Sequence, residues 1–254
     1  MPGASVGAGA LGVGVIAEAA ASWAMARPTV RRLRRQPEAE CAFGRELTQG
    51  RVLRFYIPLA LTSVMSFFVN PLTTFFLARG RMPLESLAVL PVITGLAFVF
   101  RTAGIAMQEV VIALAGDGPE DRRLLGRFTF GLGIASSVLL GLVVFTPLAT
   151  VWYATVSGLA PELASFALLP GALLVLLPFI ESVLSYERGL LVLAHRTPPI
   201  SVAVAVQLTV TSAVFALTVL VLKVVGAVAI GPALTAGYIC GVAVLLVNRR
   251  RASV

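Results

Sequence analysis

Four stretches of this chain, 55–78, 128–161, 197–222 and 224–248, contain no aspartate, glutamate, lysine or arginine. Each is longer than the roughly 18–20 apolar residues that carry a helix across a bilayer core about 30 Å thick. Charged residues make up 13% of the chain and hydrophobic ones 58%, whereas a soluble domain is roughly a quarter charged. A single soluble core has no place for four uncharged segments of this length. A water-soluble enzyme, a nucleic-acid-binding domain and a disordered chain are thereby excluded. The chain reads as an all-α, polytopic membrane helix bundle.

Seven spans are expected, at 5–26, 55–78, 87–113, 128–152, 163–186, 198–222 and 226–248. The net charge of +8 invites a nucleic-acid reading, but the placement of the charges argues against it. Loops 27–54, 114–127 and 187–197 and the tail hold 16 of the 20 basic residues; the opposite loops hold Arg79, Arg81 and Lys223, and Arg101 falls inside a span. Basic residues collect on the cytoplasmic side of membrane proteins, so the N-terminus is expected outside and the C-terminus in the cytoplasm. The basic excess then serves topology and attraction to anionic lipid headgroups, with membrane lipid rather than nucleic acid as its partner. The organisation that follows is a first transmembrane helix (1–26), a cytoplasmic basic linker (27–54), a six-helix lobe (55–248) and a short cytoplasmic tail (249–254), in a bacterial inner membrane.

Cys41 in the linker and Cys240 in the last span are too far apart to pair, and no metal-ligand spacing occurs. The first span lacks a basic leading region and is interrupted by Glu18, so it is expected to be retained rather than cleaved as a signal peptide. Its glycines, with a Gly3-x-x-x-Gly7 spacing, are of the kind that lets helices approach closely. Segment 117–127 has Pro119 followed by acidic and then basic residues, a pattern expected to form a short interfacial helix.

Helix-breaking residues are concentrated in the spans: Pro58 and Asn70-Pro71 in the second, Pro91, Gly95 and Gly104 in the third, Pro147 in the fourth, Pro170 and Pro178 in the fifth. Freed backbone groups persist at membrane depth only where protein or a water-lined cavity satisfies them. Discontinuous helices of this kind line the midplane sites of transporters, although proline is also simply commoner in membrane helices.

Ionisable residues inside a span are costly and mark functional candidates. Arg101 lies near the middle of span three, with about 20 Å of helix on its longer side. Gln108, seven residues on, shares its face, and Glu109 lies deeper and is rotated away. Arg101 either binds substrate or forms an ion pair that locks two helices. Asn70 either satisfies carbonyls freed by Pro71 or faces a cavity. Glu181 and Arg188, seven apart, share a face and are placed to bracket a cavity, while Glu187 and Arg188 also fit interfacial positions. Gln207 in span six and Glu18 in span one complete the intramembrane polar set. Glu18 and Glu109 are the candidates for a coupling ion, and Glu18 is alternatively a partner for Arg101. His195 is the only histidine, so no histidine-based triad or metal site can be built. No cofactor is implied and an enzyme is not expected.

Residues 54–92, RFYIPLALTSVMSFFVNPLTTFFLARGRMPLESLAVLPV, resemble the start of a repeat in the multidrug and toxic compound extrusion (MATE) transporters and their relatives. The run LARxxxPLESLAVxPV is similar to the progressive-ankylosis branch of that superfamily. Residues 187–200, ERGLLVLAHRTPPI, resemble a superfamily helix end of the form G-x-L-x-x-x-x-x-T-x-P, met here by Gly189, Leu191, Thr197 and Pro199. The resemblance implies alternating access by two six-helix lobes and cation-coupled efflux. The seven spans then map as the last helix of a first lobe followed by a complete second lobe, with a missing N-terminal lobe or a second copy as partner. It also implies a small anionic or amphiphilic substrate, for which Arg101 is suited. A lipid-linked saccharide flippase and a non-transporting membrane scaffold are the alternatives. In a scaffold every intramembrane polar residue is expected to be paired and no pocket to reach mid-depth.

Overall fold

The structure, a computed structural model, describes residues 2–35, 49–115, 118–194 and 196–251. Proline at the first or second helical position, where its missing N–H costs nothing, opens most of the later helices. In chain order the helices are α1 (Pro2–Arg35), α2 (Gln49–Phe67), α3 (Val69–Leu77), α4 (Pro83–Leu114), α5 (Pro119–Val144), α6 (Leu148–Thr150), α7 (Pro161–Ala172), α8 (Leu177–Leu193), α9 (Pro198–Phe215) and α10 (Gly226–Arg251). Turns of π-helix at Val151–Val156 and Ala216–Val221 extend α6 and α9. The described residues contain no strand, only an isolated bridge between Arg81 and Val225.

The chain divides into two units, Met1–Gln49 and Gly50–Val254. In the first, α1 is one long helix that runs through Pro28; its side chains Val13, Ile16, Trp23 and Met25 are exposed. Cys41 lies outside the described residues.

In the second unit successive helices run back and forth, so one end carries the turns 79–82 and 223–225 and the other the connections near 115–118 and 194–197. Helix α8 packs against α4, α5 and α10, and α10 also pairs with α9. At the first end the Gly226 N–H donates to the Arg81 carbonyl (3.3 Å) and the Ala227 N–H to the Ser86 hydroxyl (3.1 Å), which fixes the starts of α4 and α10 together. The largest core cluster, including Leu77, Ile93, Leu140, Tyr153, Leu174 and Phe215, fills this end and the middle of the unit. Two separate, smaller clusters, around Leu184 and Leu245 and around Met107 and Leu190, lie toward the other end.

Among the described residues five helices are long and apolar enough to cross a membrane, and six when α7 and α8 count as one bent span. These six coincide with expected spans two to seven. Helix α1, over expected span one, is not among them. Large side chains such as Phe98, Phe128, Phe130, Val138, Leu142 and Ile239 are exposed. In water so much exposed apolar surface would drive association; around helices of this length it is a lipid-facing surface.

Two boundaries differ from expectation, and one expected break is present. Segment 117–127 is not a separate interfacial helix but the first turns of α5. Pro119, Glu120 and Asp121 make a favourable helix start, and no proline follows before Val144. Span five is broken as its prolines require, with a 43° bend between α7 and α8. Pro178 has no N–H for the turn above it, and the next amide, of Phe179, donates sideways to the Ser137 hydroxyl on α5 (3.1 Å). Finally, α8 continues to Leu193, so Glu187 and Arg188 are helical residues rather than parts of a loop. Charge counting assigns sides of a membrane, not helix ends, and nothing before Pro198 stops this helix.

Candidate functional site

Helices α4 and α8 touch where glycine meets serine. Gly104 packs against the backbone and hydroxyl of Ser182, a close approach that small residues permit between membrane helices. Arg101 stands one turn before Gly104 on the same face, and Glu181 immediately precedes Ser182. The guanidinium of Arg101 donates from Nη2 to the Glu181 carboxylate and to the Tyr238 hydroxyl on α10 (2.5 Å). The Arg101 Cζ lies 5.1 Å from the Tyr238 ring centroid. The side chains are 17% and 6% exposed for Arg101 and Glu181, so the pair is largely buried without being sealed. A buried charge of this kind is tolerated when paired and hydrogen-bonded. Arg101 is therefore capped by an acid, and the acid is Glu181 rather than Glu18, which lies on α1 in the other unit.

Open space adjoins the pair. A cavity of about 740 Å³ is lined by Arg101, Glu181 and Tyr238 together with Asn70, Gln207 and Arg188. A second cavity of about 690 Å³ is lined by Gln108, Glu109, Ile112 and Val192. Ser66, Asn70 and Arg188 line both, so the two spaces meet at these residues. The second cavity lies toward the end of the unit where the core is divided. Arg101, Glu181 and Asn70 face the first cavity and Gln108, Glu109 and Asn70 the second. The polar stripe of α4 is thus distributed over two adjoining cavities.

Asn70 makes no side-chain hydrogen bond within the described residues, so it does not stitch the carbonyls freed at Pro71; the Thr74 hydroxyl takes the Asn70 carbonyl instead (3.1 Å). Glu187, beside Arg188, is buried and accepts from Arg249 near the end of α10 (2.8 Å). The Tyr186 hydroxyl donates to the Arg122 carbonyl at the start of α5 (2.7 Å). Arg188 itself has no ion pair among the described residues, and its Nε is buried without an acceptor.

One member of the site escapes a reading based on charges inside spans: Tyr238 is a phenol in the middle of span seven, detectable by listing every hydroxyl at mid-depth rather than ionisable groups alone. Arg188, expected to bracket a cavity with Glu181, lines the larger cavity together with it. His195 lies outside the described residues. Comparison with protein-family models, with curated proteins and with solved structures finds no match.

Proposed function

We propose that this chain is a multi-pass membrane transporter, or half of one, that moves a small anionic or amphiphilic organic solute by alternating access, as efflux or antiport in a bacterial inner membrane. The observation that carries this reading is the pair of adjoining cavities, the larger of which reaches the buried Arg101–Glu181–Tyr238 cluster at mid-helix. The broken helix α7–α8 supplies a discontinuity of the sort that accompanies midplane sites. The undivided core at one end and the divided core at the other fit a state closed on one side of the membrane. A scaffold would have no use for polar cavities at this depth, and an unpaired arginine within them counts against it. In this reading Glu109, exposed in the second cavity, is the carboxylate placed to carry a coupling proton, with Glu18 the alternative. The MATE-like resemblance supplies the working scheme of two lobes, the second lobe being this chain's six spans.

The test is counterflow in proteoliposomes. Vesicles loaded with an unlabelled organic anion and diluted into the labelled anion should accumulate label transiently when they hold this protein, and not when they hold none. Absence of counterflow across a panel of carboxylates, organic phosphates and lipid-linked saccharides would remove the transport reading.

A further inference from the structure

Charge arithmetic along the cavity walls points to a recognition residue other than the one the spans advertise. The ionisable residues of the larger cavity, apart from the Tyr238 phenol, are Arg101, Glu181 and Arg188. Arg101 and Glu181 cancel each other through direct contact, and Tyr238 takes a further hydrogen bond from the same guanidinium nitrogen. One positive charge is left over, on Arg188. Glu109 shares the smaller cavity with Arg188 but is not in salt-bridge contact with it.

The hydrogen-bond inventory leaves an Nε without an acceptor on both cavity arginines, Arg101 and Arg188, and of the two only Arg188 lacks an ion pair among the described residues. The Nε of Arg188 is buried and has no acceptor, and a buried donor left unpaired costs free energy that a ligand can recover. In a guanidinium, Nε–H and one Nη–H point the same way, forming the fork that takes two oxygens of a carboxylate or phosphate at once. Arg188 sits where the two cavities meet, with Ser66 and Asn70, the other residues common to both. The Asn70 carboxamide there can donate to the same oxygens, whereas the Ser66 hydroxyl donates to the Thr62 carbonyl (2.9 Å). Beyond this polar waist the larger cavity is lined by Leu90, Val204 and Leu208, a wall suited to an apolar body.

We infer that Arg188, with Asn70, forms an anion site at the waist of the two cavities. It takes the carboxylate or phosphate group of an amphiphilic organic anion, while Arg101 and Glu181 serve as a structural pair beside it. The inference deepens the transport reading and rests on it for the site's purpose.

Binding is measurable without flux, so the two can fail separately. Purified protein in a non-ionic detergent is titrated with octyl phosphate, octanoate, inorganic phosphate and phosphatidylglycerol, and the thermal midpoint and direct binding are followed. The wild type should be stabilised saturably by at least one of these. R188Q should weaken that binding by about tenfold or more, and R188K should fall between, since it keeps the charge and loses the fork. R79Q, at the far end of the unit, should bind as the wild type does. An effect confined to phosphatidylglycerol assigns the site to a lipid headgroup, and an effect of octyl phosphate or octanoate assigns it to a solute; both uphold the anion site. No saturable stabilisation by any probe, or unchanged affinity in R188Q, overturns it. Anion binding that depends on Arg188 in a protein without counterflow would keep the site and remove transport.

Discussion

Gly104 on α4 lies directly against Ser182 on α8: a Cβ at position 104 would stand 2.5 Å from the Ser182 hydroxyl oxygen and 3.0 Å from its amide nitrogen. The contact sets the register that lets Arg101 reach Glu181. Gly104→Ala must push the helices apart or bend one of them, and overpacking of this kind costs about 1–3 kcal/mol. The thermal midpoint of Gly104→Ala in detergent should fall. Adding Ser182→Ala should restore only part of the loss, because the backbone nitrogen remains in the way. An unchanged midpoint for Gly104→Ala would show that the helices are not pressed together here.

The Arg101–Glu181 pair should behave as a buried couple. Removing one partner leaves the other charge in a poor solvent, a loss of about 3–5 kcal/mol in buried pairs. Arg101→Met and Glu181→Gln should each lower stability strongly, and Arg101→Met with Glu181→Leu should recover much of it. Tyr238→Phe removes a single hydrogen bond to a charged group and should cost less, about 1.5–3 kcal/mol. A double-mutant cycle on unfolding in detergent measures the coupling. Additive losses would mean that the two side chains do not depend on each other.

How much of this was legible beforehand differs by feature. Long uncharged stretches place spans two, four, six and seven because hydrocarbon admits little else, and the prolines at 170 and 178 foretell the bend because a missing N–H acts locally. The start of α5 was misread, since the acidic and basic residues after Pro119 look like an interfacial turn until the helix is seen to continue. The candidate residues Arg101, Gln108, Glu109, Glu181 and Asn70 all face cavities, since polar groups at that depth have few other places to go. Which acid meets Arg101 was not legible: Glu18 and Glu181 are equally acidic, and the choice depends on the Gly104–Ser182 contact between helices far apart in sequence. The seven-residue spacing of Glu181 and Arg188 foretells the cavity they share, since residues seven apart lie on one helix face, although Arg188 also reads as an interfacial charge.

Ser137 supports the bend from the neighbouring helix. Its hydroxyl accepts from the Phe179 amide at 3.1 Å, immediately after Pro178. Ser137→Ala strands a backbone donor, at about 1–3 kcal/mol, whereas Ser137→Thr keeps the acceptor and should retain part of the stability. Thermal unfolding of the two variants under one detergent condition makes the comparison. Equal midpoints for Ser137→Ala and wild type would mean that the amide has another acceptor.

Orientation follows from charge and can be read with thiol chemistry. Met82, exposed in the turn before α4, and Glu120, exposed in the first turn of α5, stand at opposite ends of the second unit. The loop joining α4 to α5 belongs to the arginine-rich face and the turn holding Met82 to the poor one, and basic residues are retained in the cytoplasm. With Cys41 and Cys240 replaced by serine, Met82→Cys should react with a membrane-impermeant maleimide on intact cells, and Glu120→Cys only after the cells are opened. Most of the Met82→Cys protein should be labelled from outside and almost none of the Glu120→Cys protein. The reverse pattern would put the arginine-rich face outside, and with it the end of the unit toward which the second cavity lies.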